Sequence, residues 1–202
     1  MDRDAIITLL LLVACAIPVH TWFFWVRQQA SQIEKQLEKE VFYCNFSKAP
    51  LLAGLCHGYN FLKGYAPIYI ADTYFYFDDV SLMLIIVSSI ALHIWSPLLG
   101  FKRNKHLFLP LLGVYVFMSP INIYIFPVVY LIASLLLNSF PLGLLSSIII
   151  MFSTIWGFTL PIYLIPVNFI LFIITALSLK NFIFSQLEDG RKWTIAKSFK
   201  NR

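Results

Sequence analysis

The chain has 202 residues, 59% hydrophobic and 12% charged, with a mean hydropathy of +0.78 and a formal net charge of +5. Soluble domains are about half apolar and about a quarter charged, so this chain lacks the polar side chains to coat a water-soluble globule of its size. The positive balance does not point to nucleic acid, because the basic residues sit in short gaps between apolar runs and form no stripe interleaved with aromatics. Cys15, Cys44 and Cys56 have neither disulfide-framework nor zinc-like spacing. No metal and no cofactor is expected.

A membrane-crossing helix needs about 20 mostly apolar residues. Residues 5–26 form the first candidate. LVAC at 12–15 resembles a lipoprotein cleavage box, but the leading MDRD is not basic as a signal peptide would require, so the segment is read as a retained helix. Residues 27–49 follow as a loop carrying Arg27, Lys35, Lys39 and Lys48. Within it, SQIEKQLEKEVF at 31–42 places Ile33, Leu37 and Val41 on one stripe of an otherwise charged helix. Such a helix lies at the membrane interface or docks a membrane-protein partner.

The second span covers roughly 50–71, the connection DTYFYFDD holds Asp72, Asp78 and Asp79 and no base, and the third span covers 80–100. Lys102, Arg103 and Lys105 crowd the gap 101–106. From 107 to 179 the chain is almost continuously apolar, with breaks expected at Ser119-Pro120, at NSFPLG (138–143) and at WGFTLP (156–161). Four more spans result. The fold class is therefore all-α: a polytopic membrane helix bundle of about seven spans, one transmembrane domain over 1–202, ending in a basic tail at 180–202. Thirteen of the fifteen Lys and Arg fall on alternate connections and the tail. The positive-inside rule makes that side cytoplasmic, with the N-terminus outside and the C-terminus inside.

Three places hold polar groups with a choice of roles. Lys63 lies well inside the second span, where a charge is expensive unless it faces a polar cavity or snorkels to the headgroups. His93 either makes a structural hydrogen bond at a helix end or contacts a ligand. Lys102, Arg103 and Lys105 either set topology or touch lipid phosphates. Membrane lipids are the expected partners.

The order and spacing of these residues resemble the bacterial acyl-phosphate–glycerol-3-phosphate acyltransferases of the PlsY type. That family has a Gly-His near the end of its third helix, then Phe-Lys-Gly-Gly-Lys-Gly, then a helix ending near a proline. Here His93 precedes Lys105 by twelve residues, GFKRNK stands at the loop, and Pro120 lies fifteen beyond Lys105. NFLKG at 60–64 is similar to the family's Asp-x-x-Lys-Gly, with Asn60 for Asp. Asn45-Phe46-Ser47-Lys48 resembles Asn-x-x-Arg, and LKNFIFSQLEDG matches the last motif at Asn181, with Phe184 at its arginine position. The resemblance implies a seven-helix enzyme in a bacterial cytoplasmic membrane. Lys48, Lys63, Lys102, Arg103 and Lys105 would hold phosphates, with His93, Lys105 and Asn181 as catalytic candidates.

The family's first motif is a glycine-rich loop, which lets successive backbone N–H groups approach a phosphate. This chain has LEKEVFYCN at 37–45, and Arg103-Asn104-Lys105-His106 replaces Gly-Gly-Lys-Gly. Phosphate within about 6 Å of Glu38 or Glu40 meets repulsion of order 1 kcal/mol even in water. The expectation is a non-catalytic or weakly catalytic lipid-binding or scaffolding subunit. A divergent glycerol-3-phosphate acyltransferase is the alternative, and a small transporter is the second alternative.

Overall fold

The computed structural model describes residues 3–16, 50–97, 107–137, 139–157 and 164–188. These form seven α-helices and no β-strand: α1 (Arg3–Ala16), α2 (Pro50–Phe75), α3 (Asp79–Ile94), α4 (Phe108–Met118), α5 (Asn122–Leu137), α6 (Phe140–Gly157) and α7 (Leu164–Glu188). The loop at 27–49 with its 31–42 helix, the cluster 101–106 and the tail from 189 onward lie outside the described residues. Within α7, Leu164–Asn181 is long and apolar enough to cross a membrane by length and composition; Asp79–Ile94, Phe108–Met118, Asn122–Leu137 and Phe140–Ser153 are shorter apolar helices.

Of the expected breaks, Ser119-Pro120 falls between helices, whereas Phe140 to Gly143 of NSFPLG and Trp156 and Gly157 of WGFTLP belong to α6. Ser119 and Pro120 separate α4 from α5, and residues 138 and 139 separate α5 from α6. Ser139 sits just before α6 with its Oγ facing the Leu142 N–H at 3.5 Å, in the place of an N-cap. Other boundaries differ from the sequence reading as well: the helix of the third span ends at Ile94. Asp72 to Phe75 belong to α2 and not to a loop, because a helix can carry exposed polar residues on its last turn as it leaves the membrane. Likewise α7 continues past 179 to Glu188. At the end of α2, Tyr76 adopts φ 51°, and the Phe77 N–H returns to the Ala71 carbonyl at 3.3 Å. That satisfies a last-turn carbonyl through a left-handed residue, a place where glycine is the usual choice.

The outward surface is apolar: Leu84, Leu131, Leu136, Ile149 and Phe169 are all exposed. A water-soluble bundle would bury such side chains, whereas lipid solvates them. Since lipid is as apolar as leucine, close packing must hold the helices together. The tightest approach is between α2 and α4. A Cβ on Gly64 would lie 1.9 Å from the Pro110 carbonyl oxygen, and one on Gly113 would lie 2.3 Å from that of Phe61. Gly143 of α6 meets the Ser134 backbone of α5 in the same way. Around α4, Tyr115 donates its hydroxyl to Asn168 Oδ1 of α7, and Asn168 Nδ2 donates to the Ile148 carbonyl of α6 at 3.1 Å. Asn122 Nδ2 donates to the Tyr115 carbonyl at 2.8 Å, closing the end of α4.

Gly113→Ala should lower the unfolding midpoint in detergent by the equivalent of at least about 2 kcal/mol, since two backbones must separate. Gly58→Ala meets open space and should leave stability unchanged or raise it by up to about 1 kcal/mol. Tyr115→Phe should cost about 1 kcal/mol by the same measurement.

Candidate functional site

Burial along α2 follows a helical period. Cys56, Asn60, Lys63, Gly64, Pro67, Ile68 and Ala71 are all buried, one stripe facing the other helices. Two of these are strongly polar. Lys63 is 5% exposed and Asn60 6% exposed, three residues apart and so neighbours on one face. The Lys63 ammonium lies 5.2 Å from the centroid of the Tyr59 ring. Asn60 Oδ1 is buried and accepts no hydrogen bond. A buried amide oxygen left in that state costs about 1–3 kcal/mol.

The backbone here is also modified by sequence. Pro67 has no N–H, so the Lys63 carbonyl, four residues earlier, loses its helical donor. The Cys15 thiol of α1 faces that carbonyl at 3.5 Å. Through this contact α1 is attached to α2 at the level of the buried lysine.

Gly64, the residue after Lys63, touches the Pro110 backbone in the first turn of α4. The start of α4 therefore lies beside Lys63. Leu107, the residue before α4, is 1% exposed and supplies no side-chain cap. Helix starts expose backbone N–H groups and carry positive partial charge, which together favour an anion. In sequence, Lys102, Arg103 and Lys105 run directly into this turn, but they lie outside the described residues, as do Lys48 and the face Ile33, Leu37 and Val41.

His93 is 1% exposed in the last turn of α3, and Ser96 beyond it is buried. The short 98–106 segment joins this end of α3 to the start of α4, so His93 belongs to the same end of the bundle as the α4 first turn. Asn181 differs: it is exposed on α7, next to Lys180, whose ammonium lies 5.8 Å from the exposed Phe184 ring. The structure thus buries Lys63 and His93 and leaves Asn181 on the surface. Asn60, read from sequence only as a motif position, adds an acceptor beside Lys63. The polar links made by Tyr115, Asn122 and Asn168 were not singled out by sequence reasoning; an asparagine within the apolar PVNFIL was the available signal.

Comparison with known proteins places this arrangement. A family model described as glycerol-3-phosphate acyltransferase matches residues 46–186. The crystal structure of PlsY (YgiH), an integral membrane glycerol 3-phosphate acyltransferase, in its lysophosphatidic acid form superposes with a TM-score of 0.76 at 19% identity, covering 95% of this chain and 94% of that one. The glycerol 3-phosphate form of PlsY gives a TM-score of 0.73 at 18% identity over the same shares. The fold is therefore that of an integral membrane protein of the PlsY type. No curated protein sequence matches at the significance required.

A buried lysine kept for a ligand is a burden on the fold, because replacing a buried charge by an apolar side chain of similar volume is often neutral or stabilising. Lys63→Met should accordingly unfold in detergent at the same temperature as the parent protein or higher. A clear fall in the midpoint would assign Lys63 to structure instead.

Proposed function

The chain belongs to the glycerol-3-phosphate acyltransferase family, and on that premise we propose that it transfers an acyl chain from an acyl phosphate to glycerol 3-phosphate at the Lys63 end of α4. One observation carries the reading: a buried cation and an unpartnered buried acceptor, Lys63 and Asn60, share a helix face beside the side-chain-uncapped start of α4. Lys63 and the Phe108 and Leu109 N–H groups, in a first turn where Pro110 has none to donate, are matched to a phosphate, and Asn60 Oδ1 to a hydroxyl proton. Lys48, Lys102, Arg103 and Lys105 would supply charge for the second phosphate, and His93 would orient a bound group from the end of α3. The substrate hydroxyl oxygen attacks the acyl carbon, the bond from that carbon to the bridging phosphate oxygen breaks, and phosphate leaves with the proton. Positioning and charge stabilisation supply the rate. On the distribution of basic residues, the same reading puts the N-terminus outside and the C-terminus in the cytoplasm of a bacterium, as one membrane domain over 1–202.

A second reading rests on LEKEVFYCN at 37–45, which stands where the family's anion-cradling glycines are expected. The protein would then be a lipid-binding or scaffolding subunit without turnover, with Ile33, Leu37 and Val41 facing a partner. The transporter reading has no support from the family match.

Purified protein in nanodiscs, given palmitoyl phosphate and labelled glycerol 3-phosphate, should form lysophosphatidate. Lys63→Met should lower kcat/KM for glycerol 3-phosphate by about 10². Binding of glycerol 3-phosphate without product would select the second reading. Neither binding nor product would remove the acyltransferase reading.

A further inference from the structure

A cleft of about 500 Å³ opens at the end of the bundle formed by the α2–α3 connection. Thr8 and Leu12 of α1 make one wall, Ser81 and Leu84 of α3 the other, and Phe77 and Asp78 stand across the mouth. Its mouth is distant from the site above. At a rise of 1.5 Å per residue, α3 advances about 22 Å between Asp78 and His93, and α2 about 20 Å between Lys63 and Tyr76.

Among charged side chains the lining is of one sign, and Asp78, the N-cap residue of α3, more than offsets the positive partial charge of that helix start. Among the described residues, Asp78 is the one carboxylate that lines the cleft. It is fully exposed, and the Ser81 hydroxyl beside it holds its carboxyl below the usual carboxylate range, so it is ionised at neutral pH. From Gly64 to Phe101 the sequence contains no lysine or arginine to neutralise it, while Asp72 and Asp79 add to the negative charge of the connection. Aromatic faces complete the mouth: the Phe75 and Phe77 rings are 6.1 Å apart, and Tyr76 is 85% exposed. A carboxylate, hydroxyl oxygens and ring faces all attract a cation.

A metal ion does not fit. Calcium takes six to eight oxygens, and no group of three metal-binding side chains occurs among the described residues. An organic ammonium needs far fewer. The walls, moreover, lead outward: Leu84 is 64% exposed, and beyond it Val80 and Leu9 continue the exposed apolar surface of α3 and α1. A ligand with a cationic head and an apolar body matches both parts.

We propose that this cleft binds the primary-ammonium headgroup of a membrane lipid, with the ammonium at Asp78 and the acyl chains along the apolar faces of α1 and α3. The site is independent of acyl transfer and survives whichever reading of the other end holds. Charge complementarity selects the occupant, since an anionic headgroup would meet Asp78 directly.

The full chain in dodecyl maltoside can be titrated with dioctanoyl phosphatidylethanolamine and, separately, with dioctanoyl phosphatidylglycerol, with bound lipid read by native mass spectrometry. The ethanolamine lipid should bind about tenfold more tightly. Asp78→Asn should abolish that preference without moving the unfolding midpoint. Ser88→Lys, which sets a cation in the cleft, should abolish it too. Tyr76→Gly, which keeps the left-handed backbone and removes the ring, should reduce it about threefold. Equal binding of the two lipids by the parent protein, or a preference that persists in both Asp78→Asn and Ser88→Lys, would overturn the proposal.

Discussion

The approach of α2 to α4 is the contact on which the remaining packing depends. In a membrane there is no water to drive leucines together, so helix pairs are selected by how closely their backbones can meet. Gly64 and Gly113 remove the two side chains that would hold α2 and α4 apart. Two further helices are tied in from α4: Tyr115 reaches α7 at Asn168, and Asn168 in turn reaches α6 at Ile148. Packing and polar links thus act in series, the first making the second reachable.

The same contact explains why polar groups are tolerated deep in the bundle. Lys63 adjoins Gly64, so the residue that brings α4 close also brings its positively polarised first turn next to the lysine. Pro67 contributes one more departure from the regular ladder by freeing the Lys63 carbonyl, which the Cys15 thiol then faces. A fold optimised only for stability would contain none of these, and they occur together within one helix turn. That concentration is typical of functional sites.

The fold was legible from sequence because lipid imposes a length rule: apolar runs separated by Ser119-Pro120 and by residues 138 and 139 become α4, α5 and α6. Lys63 stood out for the same reason, as a charge within an apolar run. What the sequence concealed were properties of pairs. Nothing in NFLKG says that its glycine meets Pro110, or that Asn60 is left without a donor. The α2 boundary was misjudged because Asp72, Thr73 and Tyr74 read as loop residues, whereas they form the exposed final turn of a helix emerging from the bundle. His93 was recognised as a polar group at a helix end, but its near-complete burial depends on packing that no local pattern encodes.

Helix α4 has eleven residues, about 16 Å of rise, against a hydrocarbon layer of about 30 Å. Its first turn meets α2 at Gly64, about 20 Å along that helix from Pro50. On the acyl-transfer reading, a charged reactant held at this level would have moved inward from the surface and crossed part of the voltage across the bilayer. Full passage of one elementary charge is worth about 2.3 kcal/mol per 100 mV. A dianion brought halfway would experience about that much, so an energised membrane and a depolarised one would present this protein with different effective concentrations of the same phosphate ester.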